Sequence, residues 1–139
     1  MWEKTFEARM ASWVAVRDNL SLSDHDYLLA VNQWWSQAPW TPYYLHWDDR
    51  DTWPSPWELL SDNIYCSLAQ GLGMIYTIAL SGRDLSAVLT ETESDNLVLV
   101  ESGKYALNYH PGSIVNIELP NIVATHHQIS IEEIKQKFL

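Results

Sequence analysis

The segment from residue 53 to residue 80, WPSPWELLSDNIYCSLAQGLGMIYTIAL, constrains the fold more than any other part of the chain. Its first third carries the signals of a helix start. Ser55 is expected to cap a short helix, with Pro56 at the first helical position and Glu58 completing a capping box. These three signals lie so close together that they predict a helix beginning at Pro56.

The rest of this segment is predicted to contain a second helix and then a strand. Asp62 or Asn63 is expected to cap the helix, which carries Cys66, the only cysteine of the chain, about one turn from its start. Gly73 is expected to end the helix in the left-handed conformation. Residues 74–80 are apolar and few, which predicts a buried strand. The apolar residues at helical spacing are Ile64, Tyr65, Leu68, Ala69 and Leu72.

The charge of the chain is strongly negative. Eighteen acidic and eight basic residues give a formal net charge of −10. Proteins bind nucleic acids mainly by neutralising phosphates with lysine and arginine. Because the sequence has no cluster of basic residues, we expect no binding to nucleic acid and expect the partners to be other proteins.

The length of 139 residues predicts a single domain. We expect a helical, Trp- and Pro-rich part in residues 1–61 and a helix with an antiparallel sheet in residues 62–139. No apolar run approaches the roughly 20 residues needed to span a membrane. The acids Glu3 and Glu7 near the start do not fit a signal peptide, so we expect synthesis in the cytoplasm.

Helical and alternating patterns predict the remaining elements. Two N-terminal helices are expected at residues 3–19 and 24–37. Ser130 and Glu133 form the capping-box signal of a last helix that ends at Phe138. The predicted strands cover residues 85–92, 96–100, 105–109, 113–119 and 121–130. Because consecutive strands joined by tight turns pair antiparallel, we predict an α+β fold. In it, the N-terminal helices and the cysteine-bearing helix pack on an antiparallel β-meander, and a short helix ends the chain.

All eight tryptophans lie in the first 57 residues. Either the rings fill an irregular core, or some of them bind another protein, since Trp and Tyr are enriched at interfaces. This part of the chain has no predicted sheet of its own that could bury all of them, so we favour the interface. The predicted contact residues are Trp34, Trp35, Trp40, Tyr43, Tyr44, Trp47, Trp53 and Trp57.

Residues 38–55 contain three prolines and are predicted to form an irregular loop. His46, Asp48, Asp49 and Asp51 within it resemble a calcium-binding loop, but the glycine and the bidentate glutamate of such a loop are missing. A solvated turn with an arginine beside the acids explains the segment better. We therefore predict no metal site and no cofactor.

A helix with a cysteine, followed by a strand and a hairpin of strands, resembles the core of the transglutaminase-like branch of the papain-like superfamily. The resemblance covers about residues 62–118. It implies a cysteine nucleophile, a histidine at the start of the second core strand and an aspartate at the end of the third. The cysteine matches the first position. The other two are occupied by Asp95 or Asn96 and by Asn108 or His110, which depart from the family pattern.

This resemblance implies a cysteine-dependent acyl hydrolase or transferase as an alternative function. A thiol attacks as its thiolate, which forms more readily beside a histidine or a helix N-terminus. Cys66 with His110 and either Asn116 or Asn121, in papain-like order, would supply such a group. The opposing interpretation is that Cys66 is a small buried apolar residue and His110 an exposed turn residue. We favour this interpretation and expect no catalytic residues.

The N-terminal part carries a second resemblance. The pattern WWxxxPWxPYYLHWDD, followed by WPxPWELL, resembles small structural proteins in the tail or baseplate of contractile-tailed phages. This resemblance implies a subunit without enzymatic activity that is incorporated into a virion. We therefore predict a structural subunit of a larger assembly, which contacts other protein subunits through residues 34–57.

Overall fold

The computed structural model describes residues 2–115 and 127–139. Its helices are α1 (Phe6–Arg17), α2 (Asp24–Ser36), α3 (Pro56–Asp62), α4 (Ser67–Leu80) and α5 (Ile131–Phe138), with a 3-10 helix at Trp47–Thr52. Its strands are β1 (Ala87–Glu91), β2 (Asn96–Val100), β3 (Tyr105–His110), β4 (Ser113–Val115) and β5 (Gln128–Ser130). None of the helices in this part of the chain is long and apolar enough to cross a membrane.

The strands form one antiparallel sheet in the order β4-β3-β2-β1-β5. The first four strands are a meander, and β5 pairs with β1 at the opposite edge from β4. Helix α4 packs against β1, β2 and β3, and each of the other four α-helices contacts α4. The predicted α+β fold, with N-terminal helices, an antiparallel sheet and a short C-terminal helix, is confirmed.

Local sequence signals located several element boundaries correctly. The capping boxes at Ser55–Glu58 and Ser130–Glu133 are both formed and begin α3 and α5. Strand β2 spans the predicted residues 96–100, and β3 extends one residue beyond the predicted 105–109. These signals depend on residues close together in the chain, so they act in the same way in any tertiary context.

The other predicted elements are present but shorter. Helices α1 and α2 and strand β1 lie within their predicted ranges. Of the last two predicted strands, residues 113–115 form β4 and residues 128–130 form β5. Residues 116–126 lie outside the described part of the chain.

The prediction of a strand at residues 74–80 is wrong, because α4 continues through Gly73 to its end at Leu80. Residues 68–78 are all buried between the sheet and the other helices. A short run that is apolar on every side has the same pattern in a buried helix as in a buried strand. Gly73 does not end the helix: a Cβ atom there would lie 2.6 Å from the Trp35 ring, so the glycine lets the indole approach the helix backbone.

The start of α4 also differs from the prediction. Asp62 is the last residue of α3, and Asn63 ends that helix in the left-handed conformation, with φ of 59°. Neither residue caps the next helix. Cys66 is itself the N-cap of α4 and does not lie one turn inside it. The prediction failed because asparagine is favoured both at helix N-caps and in the left-handed position after a helix.

The core contains a buried hydroxyl that connects three helices. In α4, Thr77 Oγ1 donates to the Gly73 carbonyl oxygen at 2.7 Å. It accepts from the indole nitrogen of Trp13 in α1 at 2.8 Å and from that of Trp35 in α2 at 3.0 Å. All three side chains are buried. One hydroxyl thus satisfies two indole N–H groups that would otherwise be buried without an acceptor.

Replacing Thr77 with valine is expected to destabilise the protein by about 2–6 kcal/mol, because each of the two buried indoles that loses its acceptor costs about 1–3 kcal/mol. Thr77→Ser keeps the oxygen and removes one methyl group, for which we expect a loss of about 1 kcal/mol. Urea unfolding followed by tryptophan fluorescence measures both. A valine variant as stable as the serine variant would contradict this role of the hydroxyl.

Gly73→Ala is expected to destabilise the protein by up to about 2 kcal/mol. Overpacking against the rigid Trp35 ring costs about 1–3 kcal/mol, which exceeds the gain of up to about 1 kcal/mol in helix propensity. Gly112→Ala is the matched control, since its Cβ would meet no atom closer than 3.7 Å. Thermal unfolding should show a lower Tm for Gly73→Ala alone; an unchanged or higher Tm would show that the ring does not require the glycine.

Candidate functional site

The loop at residues 38–46 lies along the two residues that precede α4. Trp40 forms a parallel bridge with Tyr65, and the backbone N–H of Leu45 donates to Cys66 Sγ at 3.3 Å. Tyr65 and Cys66 are both buried. The loop is therefore attached to the core at two points, one on each side of its centre.

Three aromatic side chains of this loop are exposed. Trp40 is 62% exposed and Tyr43 is 81% exposed, and Tyr44 is exposed to a smaller degree. The Tyr44 hydroxyl donates to Asp62 Oδ2 at 2.7 Å, and this hydrogen bond raises the pKa of Tyr44 to about 12. The same hydrogen bond holds the Tyr44 ring to the end of α3. We call residues 38–46 the aromatic loop.

The eight predicted contact residues divide by burial. Trp35, Trp47 and Trp53 belong to the hydrophobic core, and Trp34 is half-buried and donates to Ser12 Oγ at 2.8 Å. These four have structural roles within the chain itself. The exposed members are Trp40, Tyr43, Tyr44 and Trp57.

A cleft of about 310 Å³ opens beside the aromatic loop at the N-terminal end of α4. Its wall combines aromatic rings, carboxylates, imidazoles and the thiol. We call it the Cys66 cleft, and its lining includes Tyr43, Trp47, Asp48, Cys66, Glu91 and His127. Most of these residues are far apart in the sequence.

The Cys66 thiol interacts with the backbone of the aromatic loop. Its sulfur accepts a hydrogen bond from the Leu45 N–H. The thiol in turn donates to the Leu45 carbonyl oxygen, which lies 3.9 Å from the sulfur. Cys66 is only 3% exposed. Within residues 2–115 and 127–139, no imidazole is hydrogen-bonded to the sulfur. A cysteine at a helix N-terminus can be reactive, but this one is covered by the loop that it holds.

His110, the predicted base of the alternative function, lines a separate cleft of about 280 Å³ that Cys66 does not line. The Nδ1 atom of His110 accepts from the backbone N–H of Gly112 at 3.1 Å, as in a tight turn. The structure therefore does not bring Cys66 and His110 together in one site. Asn116 and Asn121, the other members of the predicted group, lie outside the described residues.

The imidazole of His127 lines the Cys66 cleft and is bound by an acid. Its Nδ1 lies 2.8 Å from Glu91 Oε1, and its Nε2 lies 3.7 Å from Asp48 Oδ1. The ring stacks on Trp47, with 5.6 Å between centroids and 4° between planes. Glu91 and His127 are 36 residues apart, and the pairing of β1 with β5 brings them together. No spacing in the sequence indicates this contact.

Asparagine side chains occupy two of the positions that the family resemblance assigns to catalytic groups, and both have structural roles. Asn108 Nδ2 donates to the carbonyl oxygens of Ser67 at 2.9 Å and of Asn96 at 2.7 Å. Asn96 Oδ1 accepts from the Trp47 indole nitrogen at 2.8 Å. Asn108 has φ of 68°, a conformation that asparagine tolerates better than most residues. The Asn108 amide therefore attaches the start of α4 to the sheet, and the Asn96 amide attaches the Trp47 ring to β2.

Within the described residues, no group of three or more His, Cys, Asp or Glu side chains has a geometry that could hold a metal ion. Comparison with known protein families finds no match for this chain, and comparisons with curated proteins and with solved structures find none either. The two sequence resemblances therefore stay predictions, and the functional argument depends on the site itself.

Proposed function

We propose that this protein is a non-enzymatic structural subunit of a larger assembly, which contacts other protein subunits through the aromatic loop and Trp57. The observation that carries the proposal is the exposure of Trp40 and Tyr43 on a loop that is attached to the core. The resemblance of the N-terminal pattern to tail and baseplate proteins supports a phage virion as the assembly. In that case the protein is made in the cytoplasm and is then incorporated into the virion.

The energetics of exposed rings support an interface. Burying the open part of a Trp or Tyr ring at a contact removes enough apolar surface to contribute roughly 2–4 kcal/mol. Such rings are the residues whose truncation weakens interfaces most. Because the loop is already held at Tyr65 and Cys66, little conformational entropy remains to be lost when a partner binds.

A cysteine-dependent acyl hydrolase or transferase is the second candidate, and one observation favours it. Cys66 lies at the N-terminus of α4 in a cleft that also contains His127, whose ring is bound by Glu91. A nucleophile, a base and an acid that orients the base are the groups that acyl transfer requires. The burial of the sulfur and its contact with Leu45 argue against this function, because a substrate carbonyl must reach the sulfur.

Combining Trp40→Ala with Tyr43→Ala is expected to weaken association by about 30-fold or more, since hot-spot truncations cost about 2 kcal/mol or more. Tagged wild-type and variant chains would be used to capture proteins from the producing cells, followed by mass spectrometry and titration of the captured subunit. The melting temperature should hardly change, because both rings are largely exposed. Leu20→Ala, at another exposed apolar residue, is the matched control. Equal capture of the partner by the wild-type chain, the double variant and Leu20→Ala would contradict the proposal.

Cys66 is expected to resist alkylation by iodoacetamide at pH 6 in the folded protein and to react fully in urea, because the sulfur is buried against Leu45. Intact-mass spectrometry measures the rate, with glutathione as the reference for an open thiol. Rapid alkylation of the folded chain, abolished by His127→Ala at unchanged melting temperature, would instead support the hydrolase or transferase.

A further inference from the structure

We propose that the cleft lined by His110 binds an uncharged sugar ring. The cleft has a volume of about 280 Å³ and lies between the start of the aromatic loop, α4 and the end of β3. We call it the Gln70 cleft, and its lining includes Trp40, Gln70, Asn108 and Tyr109. This inference goes beyond the proposed contact with another subunit and concerns a different class of ligand.

Two side-chain amides leave acceptor oxygens at this cleft. Gln70 is only 9% exposed, and its Nε2 donates to the Trp35 carbonyl oxygen at 3.2 Å. The Nδ2 of Asn108 donates to two carbonyl oxygens. Because a carbonyl oxygen can only accept, these contacts fix the nitrogen of each amide and leave its oxygen for another donor. No residue in the described part of the chain donates to either oxygen, so the cleft favours a ligand that supplies hydrogens.

The wall that carries Asn108 is held in an unusual backbone conformation. Asn108 has φ of 68° within β3, where the pairing with β4 shifts its register. Asn32 of α2 is fully buried and fixes this wall. Its Oδ1 accepts from the Asn108 backbone N–H at 2.8 Å, and its Nδ2 donates to the His110 carbonyl oxygen at 2.8 Å. Irregular strand residues fixed in this way are common beside binding sites, and a wall formed in advance lowers the entropic cost of binding.

Two exposed aromatic rings line the same cleft. Trp40 is 62% exposed and Tyr109 is 51% exposed. Such a ring combines a flat apolar face with a polar N–H or O–H group at its edge. A sugar ring has the matching chemistry, because its C–H groups form an apolar face and its hydroxyls surround that face. A hydroxyl both donates and accepts, so one sugar can accept from the Trp40 indole N–H and donate to the amide oxygens.

The charge and the size of the cleft argue against other ligands. Its described lining has no Asp, Glu, Lys or Arg, so a charged ligand would find no counter-charge there. A purely apolar ligand would leave the amide oxygens without donors. An extended peptide turns its N–H groups to one side only at every second residue, whereas neighbouring carbons of a sugar each carry a hydroxyl. In a cleft slightly smaller than most ligand pockets, one sugar ring therefore supplies more donors than a peptide.

The test titrates the full chain, labelled with nitrogen-15, with the methyl glycosides of glucose, galactose, mannose and N-acetylglucosamine. Two-dimensional NMR of the side-chain N–H signals follows the binding. We expect at least one of these sugars to shift the signals of the Trp40 indole and of the Gln70 and Asn108 amides. The expected Kd is about 1–10 mM, as for a single small ring. Acetyl-Gly-Pro-Gly-amide, an uncharged peptide, is titrated as the alternative ligand.

Tyr109→Ala should weaken binding of the sugar at least about fivefold, because the sugar loses an aromatic ring on which it stacks. Tyr43→Ala is the matched control, since it removes the same kind of ring from the Cys66 cleft, and it should change the Kd by less than about twofold. Gln70→Met keeps the length of the side chain and removes its oxygen, and it should also weaken binding at least about fivefold. Thermal unfolding of each variant reports whether the fold is kept.

Three results would overturn the inference. The first is that none of the sugars shifts these signals at about 50 mM. The second is that the peptide shifts them at the same or a lower concentration than any sugar, which would assign the cleft to a protein segment. The third is that Tyr109→Ala weakens binding no more than Tyr43→Ala, which would place the sugar elsewhere. Capture of a protein partner by the Trp40→Ala/Tyr43→Ala chain measures the proposed subunit contact separately, so either proposal can fail without the other.

Discussion

The hydroxyl of Thr77 is the contact on which the arrangement of the helices depends. It accepts hydrogen bonds from the indoles of Trp13 and Trp35, which belong to two different helices. An indole N–H that is buried without an acceptor costs about 1–3 kcal/mol, so α1 and α2 are both placed where their rings reach this one oxygen. Gly73 is part of the same constraint: the Trp35 ring that reaches Thr77 lies against the helix backbone where any Cβ would be 2.6 Å away.

The position of the aromatic loop follows from this core. Helix α4 is enclosed by the sheet and by the other helices, and the residues just before it, Tyr65 and Cys66, are buried with it. A loop with prolines at residues 39 and 42 cannot satisfy its backbone groups by regular pairing within itself. It uses Tyr65 and the Cys66 sulfur instead. The rings of Trp40 and Tyr43 do not belong to the core and stay exposed.

Sequence patterns predict this fold where the determining residues are close in the chain. The Ser55–Glu58 capping box and the strand at residues 96–100 are of this kind. Residues 74–80 could not be assigned correctly, because a helix buried on all sides has no polar face to show its period. The site was harder to predict than the fold. The sequence indicates Cys66 as a candidate, but the contact between Glu91 and His127 depends on β1–β5 pairing across 36 residues.

The two candidate functions use the same cleft but require opposite properties of its cysteine. A nucleophile must present its sulfur to a substrate, whereas an anchor must keep it covered. The N–H of Leu45 donates to the sulfur, so a substrate that displaced the loop would break the contact that helps to position Tyr43. Movement of the loop would thus remove an aromatic wall of the cleft at the moment of binding. A thiol that fixes the loop has the opposite effect, because it keeps the exposed ring and the carboxylates of Asp48 and Glu91 on one surface. A fixed, exposed surface is the property that the proposed contact with another subunit requires.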